Sequence, residues 1–221
     1  MGLLNFYCVE NATTKADDTT GFTRYCELRD STKAFKIYKG CSRKWMNESG
    51  KDNNEKEIGS SGISILWPDV NNEFYKAELI KAKEGKSPNN ISAIIQYNCG
   101  ITFLWMGDIE TTMMENVKDK LDLPKVNILF APHHGRDSGK IPKELLDKMT
   151  PDIIVIGEAP SKDLHYYPDY NTITQNSAED IIFECEAKKV HIYTSNKNHT
   201  VDFLANEKKS TFNYYIGTLN V

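Results

Sequence analysis

Two places in the sequence put chemically active residue types where a site can form. Gly107-Asp108 follows the apolar run Ile101–Met106, and Pro132-His133-His134-Gly135 follows the apolar run Val126–Ala131. Carboxylates and imidazoles are ligands that Zn²⁺, Mn²⁺ and iron accept, and a carboxylate suits a bridging position between two hydrolytic metal ions. A Gly-Asp at a strand end is also an ordinary helix N-cap, here for a helix beginning near Glu110. Two adjacent imidazoles before a glycine are harder to explain as packing, because a structural histidine normally comes alone.

The remaining candidates are weaker. His165 lies in a loop with Tyr166, Tyr167, Pro168 and Tyr170, either as a further polar group over the same rim or packed among the tyrosines. His191 begins a strand and His199 follows Asn196-Lys197-Asn198; both read as structural or surface histidines. Asn89-Asn90-Ile91-Ser92 opens the strand before the Asp108 strand, and paired asparagines ordinarily serve turns. The chain has no Gly-x-x-x-x-Gly-Lys-Ser/Thr, no Gly-x-Gly-x-x-Gly and no Gly-x-Ser-x-Gly, so nucleotide-cofactor and serine-hydrolase readings lack support.

The elements that must carry these residues are legible from Ile63 onward. Strands are expected at Ile63–Trp67, Ile91–Tyr97, Ile101–Met106, Val126–Ala131, Asp152–Ile156, Val190–Thr194 and Thr211–Gly217. Helices are expected at Asn72 to Ala82, Glu110 to Leu121, Pro142 to Met149 and Ala178–Glu186. Leu3 to Lys33 shows only weak periodicity, Ala34–Tyr38 reads as a short strand, and 47–62 is a long polar loop or insertion. Strand alternating with helix from Ile101 to Gly157 predicts an α/β unit with its crossovers on one side of a sheet. Sites in such sheets lie beyond the carboxyl ends of the strands, so Asp108 and His133/His134 are expected on one rim.

Composition narrows the class. The 221 residues are 39% apolar and 26% charged, with 27 Lys+Arg against 31 Asp+Glu. That suffices for a core and is too apolar for disorder. No apolar run approaches the ~18 residues of a membrane span, and no basic stretch followed by an apolar segment marks a secretory signal. The expectation is a cytoplasmic protein with no membrane partner. Five scattered cysteines without a Cys-x-x-Cys spacing read as reduced, small hydrophobes. Arg24, Arg29, Lys33, Lys36, Lys39, Arg43 and Lys44 cluster in one segment, either as a phosphate-facing surface or as a solvated face.

The order Ile63-Ser-Ile-Leu-Trp-Pro68, Asn89-Asn-Ile-Ser92, Leu104-Trp-Met-Gly-Asp108 and Ile128-Leu-Phe-Ala-Pro-His-His-Gly135 resembles metallo-β-lactamase-fold hydrolases. The nearest branch is the one that includes the DNA-uptake protein ComEC. The resemblance spans Ile63 to roughly Ile156, less than half of the chain. It implies an αββα sandwich, a centre of one or two divalent metals (zinc, or manganese), and hydrolysis by a metal-bound hydroxide. Residue by residue it implies Asp108 and His133 as metal ligands, His134 as a neighbouring or proton-transferring group, and His165 as a displaced counterpart of a late histidine.

The sequence departs from that family in three places. The signature His-x-His-x-Asp-His has no counterpart before Ile63, since the first histidine of the chain is His133. The serine after His-His-Gly is Arg136, and a late Tyr-Gly-His-Pro reads Tyr166-Tyr167-Pro168. The expectation is therefore a single domain, residues 1–221, forming the C-terminal portion of an incomplete sandwich with part of the metal site missing, inactive alone. Its substrate would carry a phosphodiester or other ester-like bond, with nucleic acid or a nucleotide as partner through the basic segment. Its missing half would be an N-terminal portion or a second copy. The alternative is a non-catalytic, degenerate half-fold that binds protein or nucleic acid.

Overall fold

The computed structural model describes residues 5–16, 19–44 and 46–221. The first elements are β1 (Phe6–Cys8), α1 (Thr20–Arg29) and β2 (Ala34–Lys36), with β1 and β2 paired in parallel. The polar segment 47–62 contains a short hairpin, β3 (Gly50–Lys51) and β4 (Glu57–Ile58). Then follow β5 (Ile63–Trp67), α2 (Glu73–Lys83), β6 (Ile94–Asn98), β7 (Thr102–Trp105), α3 (Thr111–Val117) and β8 (Ile128–Phe130). The chain continues through α4 (Lys143–Met149), β9 (Ile153–Ile156), β10 (Thr172–Thr174), α5 (Gln175–Ala178), β11 (Ile181–Glu186), β12 (Lys189–Thr194) and β13 (Tyr215–Asn220).

The fold is mixed α/β. Six strands form one sheet in the order β10-β9-β8-β7-β6-β5. β5, β6 and β7 are antiparallel neighbours, whereas β7, β8, β9 and β10 run parallel. The central parallel strands β8 and β9 are apolar throughout, and the side chains of β7, β8 and β9 alternate between two cores, because successive side chains leave opposite faces of a strand. Leu104, Leu129, Ile154 and Ile156 enter a core shared with α3 and α4 through Met113, Met114, Val117, Leu145 and Met149. Both crossovers thus lie on one face, as the sequence predicts.

Phe103, Ile128, Ile153 and Val155 enter the opposite core, which a three-stranded antiparallel sheet, β11-β12-β13, closes with Val190 and Ile192. Phe183 of β11 meets Phe103 and Phe130 edge-on, at ring separations of 5.6 and 6.0 Å. Helices, larger sheet and smaller sheet are therefore stacked in that order. The chain covers that face of the larger sheet with its own C-terminal strands.

Three expectations need correction. Of the helix expected at Ala178–Glu186, only Ala178 is helical and Ile181–Glu186 is strand, because Ile181 and Phe183 turn to the inter-sheet core while Ile182 is exposed. Asn89–Ile91 is a 3₁₀ turn preceding β6. The terminal strand begins at Tyr215, and the weakly periodic N-terminal stretch holds helix α1. No helix among the described residues is long and apolar enough to cross a membrane. Cys8 and Cys41 are buried, while Cys99 and Cys185 are exposed, and all five cysteines are free thiols.

Candidate functional site

The site forms where β7 and β8, neighbouring parallel strands, end on the same rim. Beyond β7 the chain turns at Gly107, whose φ of 59° favours glycine, and a Cβ there would stand 2.7 Å from Ser92 Cβ. The Asp108 N–H donates to Ser92 Oγ at 3.0 Å. Asn90 Oδ1 accepts the Glu110 N–H at 2.9 Å, and the Asn89 and Asn90 amides donate to the Glu110 carboxylate. Asn89-Asn90-Ile91-Ser92 is thus a clamp on the turn that carries Asp108. α3 is capped at Glu110, so Asp108 is not the helix cap that its sequence position allows.

Beyond β8 the backbone enters an unusual conformation. His133 (φ 49°, ψ 44°) and His134 (φ 59°, ψ 12°) are both left-handed, and Gly135 follows at φ 82°. Histidine tolerates this region better than most residues, yet two in succession hold strain of order 1 kcal/mol or more each, which the surroundings must offset. The His133 N–H donates to Gly107 O at 2.9 Å, tying the two turns together. Its ring meets Ser138 Oγ at 2.8 Å through Nδ1, a hydrogen bond whose donor depends on the tautomer.

The double left-handed step sends the two imidazoles different ways. His134 Nε2 lies 3.9 Å from Asp108 Oδ1, within ion-pair reach but beyond a hydrogen bond. His134 and Asp108 line a cleft of about 200 Å³ together with Trp105, Phe130, Gly157 and Gln175. Trp105 and Phe130 stack beneath it, with ring centroids 4.6 Å apart. Gly157 at the end of β9 leaves room for His134: a Cβ there would lie 3.0 Å from His134 Cβ and 3.1 Å from Nδ1. The geometry therefore brings Asp108 to His134, whereas the sequence reading places ligation at His133. With side chains 53% and 47% exposed, His134 and Asp108 remain open to solvent and to a ligand.

His165 is exposed, follows the 3₁₀ turn Ser161–Asp163 and does not line this cleft. His191 is fully buried, with Nδ1 2.7 Å from Thr218 Oγ1, and serves the smaller sheet. His199 Nδ1 lies 3.1 Å from Ser177 Oγ. Of the basic segment, Arg24, Lys33, Lys39 and Lys44 are exposed, Lys36 and Arg43 are half-buried and Arg29 is buried. Arg29 is buried and forks onto Asp30, Lys36 donates to Arg29 O, and Lys39 donates to Lys120 O. Arg24 pairs with Glu27, and Arg43 stacks over Phe35 and Tyr7.

Among the described residues, no group of three or more His, Cys, Asp or Glu side chains is placed to hold a metal ion. Two donors do not enclose zinc, which takes four ligands, or manganese, which takes more. The described residues do not fit a complete metal centre. A search against family models and one against curated proteins each returned no match. Ser92, Asn90, Ser138, Gly157 and Gln175 complete the site's surroundings; only the Asn-Asn-x-Ser spacing had any sequence signal.

Proposed function

We propose that the chain is a hydrolase of the metallo-β-lactamase kind, in which Asp108 and His134 are the two groups at the reacting centre. The substrate would carry a phosphodiester or another ester-like bond. The observation that carries this reading is the Asp108–His134 pair at the carboxyl ends of adjacent parallel strands, held there by a strained turn and a polar clamp. Strained left-handed residues concentrate at functional sites, and a turn serving only to connect β8 with α4 has no need of two. Two facing sheets with helices packed on the larger one support the αββα reading, with the outer layer over the smaller sheet as its unshown part.

The described donors fall short of a complete metal centre. If zinc or manganese takes part, further ligands must join Asp108 and His134, from an N-terminal portion or from a second copy. The pair can itself act on a substrate, with the carboxylate orienting an imidazole that accepts a proton from water. The test is hydrolysis of bis(p-nitrophenyl) phosphate and p-nitrophenyl acetate by the purified protein, without metal and with added zinc or manganese. Turnover that disappears in both Asp108→Ala and His134→Ala supports the reading. Turnover unaffected by either substitution removes the pair from the chemistry.

A second reading has its own observation. The lack of any three-ligand group among the described residues favours a non-catalytic binding module that retains the sandwich and the rim. Absence of turnover on both esters under every metal condition, together with saturable binding of single-stranded DNA or a protein partner, would make that reading the better one.

A further inference from the structure

The two sheets bring together two thiols that the sequence keeps far apart. Cys99 lies in the turn between β6 and β7 of the larger sheet, and Cys185 lies on β11 of the smaller one. The turns of the two sheets touch at this end: a Cβ on Gly100 would stand 3.3 Å from Ala187 O. Tyr97 and Phe183 precede the two cysteines by two positions, and both rings pack into the core between the sheets. Cys185 leaves the same face of β11 as Phe183, because side chains alternate along a strand. Its thiol therefore points at the larger sheet, where the Cys99 thiol acts on it by charge and through a hydrogen bond. Both thiols also act by charge on the Tyr97 hydroxyl.

A pair placed this way is open to reagents. Cys99 and Cys185 are exposed free thiols, whereas Cys8 and Cys41 are buried. The Cys99 S–H donates to Ile101 O at 3.7 Å, which leaves its sulfur to accept from Cys185. Partial burial first, and the charge of Cys99 second, push the Cys185 thiol up to about 12, so it keeps its proton at neutral pH. The attacking species in thiol chemistry is the thiolate. Attack therefore starts at Cys99, and Cys185 is the resolving thiol that follows.

We propose that Cys99 and Cys185 form a modification site, closed to an intrachain disulfide by a low-molecular-weight disulfide. The Cys99 thiolate attacks one sulfur of the reagent, whose S–S bond breaks and releases a thiolate that takes up the proton Cys99 has lost. Cys185 then attacks Cys99 Sγ in the mixed disulfide, its proton passing to the second departing thiol. Two protein thiols are oxidised, and one small disulfide is reduced to two thiols. The bond fixes the β6–β7 turn to β11 and so pins the smaller sheet to the larger one. It lies at the end of β7 opposite Asp108, and the proposal stands whether or not that rim is catalytic.

The experiment incubates the full chain with oxidised glutathione and maps its cysteines by mass spectrometry without reduction. The expected product has lost two hydrogens and yields one linked peptide joining Cys99 to Cys185. Its melting midpoint should rise by about 5–10 °C over the reduced chain, and dithiothreitol should reverse the rise. Cys185→Ser should stop at one glutathionyl group on Cys99, and Cys99→Ser should give no linked peptide. Cys26→Ser should leave the linkage in place. No linkage in the wild-type chain, or separate glutathionyl groups on both cysteines, overturns the proposal. So does a linkage that involves another cysteine, or one formed between two chains. A linked chain that melts with the reduced one overturns the pinning of the two sheets. If either serine variant fails to fold, peptide mapping of the wild-type chain decides alone.

Discussion

His134 reaches to 3.9 Å from Asp108 across two neighbouring strands only because its own backbone sits at φ 59°, in the left-handed region. The contact and the strain come together. Of the two left-handed histidines, His133 is anchored by the Gly107 carbonyl and Ser138, whereas His134 is half-exposed and makes no hydrogen bond to Asp108. His134→Gly should therefore leave stability unchanged or raise it by up to about 1 kcal/mol, since glycine occupies this region without steric cost. Asp108→Ala should change stability by no more than about 0.5 kcal/mol, because its side chain is half-exposed and caps no helix. Urea unfolding of both variants checks this. A loss of about 2 kcal/mol or more in either would show a structural anchor rather than a group held for function.

Gly157 yields a sharper test of the site's shape. A methyl group there meets His134 Cβ at 3.0 Å and Nδ1 at 3.1 Å, while a methyl at Gly59 meets nothing within 4 Å. Gly157→Ala should push the imidazole away from Asp108 and lower any rate that depends on the pair by about tenfold or more, as small misplacements of reacting groups do. Gly59→Ala should leave the rate unchanged. His134 ring resonances report the displacement by NMR even if no substrate is known. Resonances that stay unperturbed in Gly157→Ala would mean that His134 is not confined there.

The rim was legible because two apolar runs end in Gly-Asp and Pro-His-His-Gly, and parallel strands present their carboxyl ends on one side. Which histidine faces Asp108 was not, since it depends on the sign of φ at two residues whose types do not require it. The strand at β11 was misread for a definite reason. Ala178, Ile181, Ile182 and Cys185 repeat at helical spacing, and only pairing with β12 reveals that Ile181 and Phe183 share a face. Cys99 and Cys185 meet because the β6–β7 turn packs against β11 and the turn after it, so nothing in their sequence spacing marked them as a pair. Charge counting in the basic segment does not show that Arg29 is buried or that Lys36 and Lys39 donate to backbone carbonyls.

Phe183 is one of the contacts by which the smaller sheet packs on the larger one. Its ring stands edge-on to Phe103 and Phe130, and Phe130 in turn stacks on Trp105 below the Asp108–His134 cleft. Phe183→Ala removes both edge-to-face pairs and should cost about 2–4 kcal/mol, somewhat below a fully buried phenylalanine because the site is half-buried. Phe183→Leu should recover more than half of that loss. Guanidinium unfolding followed by tryptophan fluorescence measures it directly, with Trp105 beside the altered contact. A loss below about 1 kcal/mol would show that the two sheets are held by Val190 and Ile192 instead.

His199 should give the fold a stability step on the acid side of neutrality. Burial alone pushes its imidazole below the ordinary 6.5, and its Nε2 is buried without a partner while Nδ1 faces Ser177. The folded chain thus prefers the neutral ring, and the unfolded chain takes up the proton first as pH falls. Stability from this group is complete above about pH 6.5 and declines as pH drops from there towards the depressed folded value. The slope should stay well under the ~1.4 kcal/mol per pH unit of one full proton, because the ring is partly exposed. Glu186 titrates in a separate window. His191 first and Lys209 second hold its carboxyl below 4.5, so its contribution is present above that value and lost only in stronger acid. Unfolding free energies measured between about pH 5 and pH 8 therefore isolate the histidine. His199→Asn should flatten the profile over that range while Glu186→Gln leaves its slope in place. A profile in His199→Asn as steep as that of the parent would assign the step to another group and leave the buried Nε2 without energetic consequence.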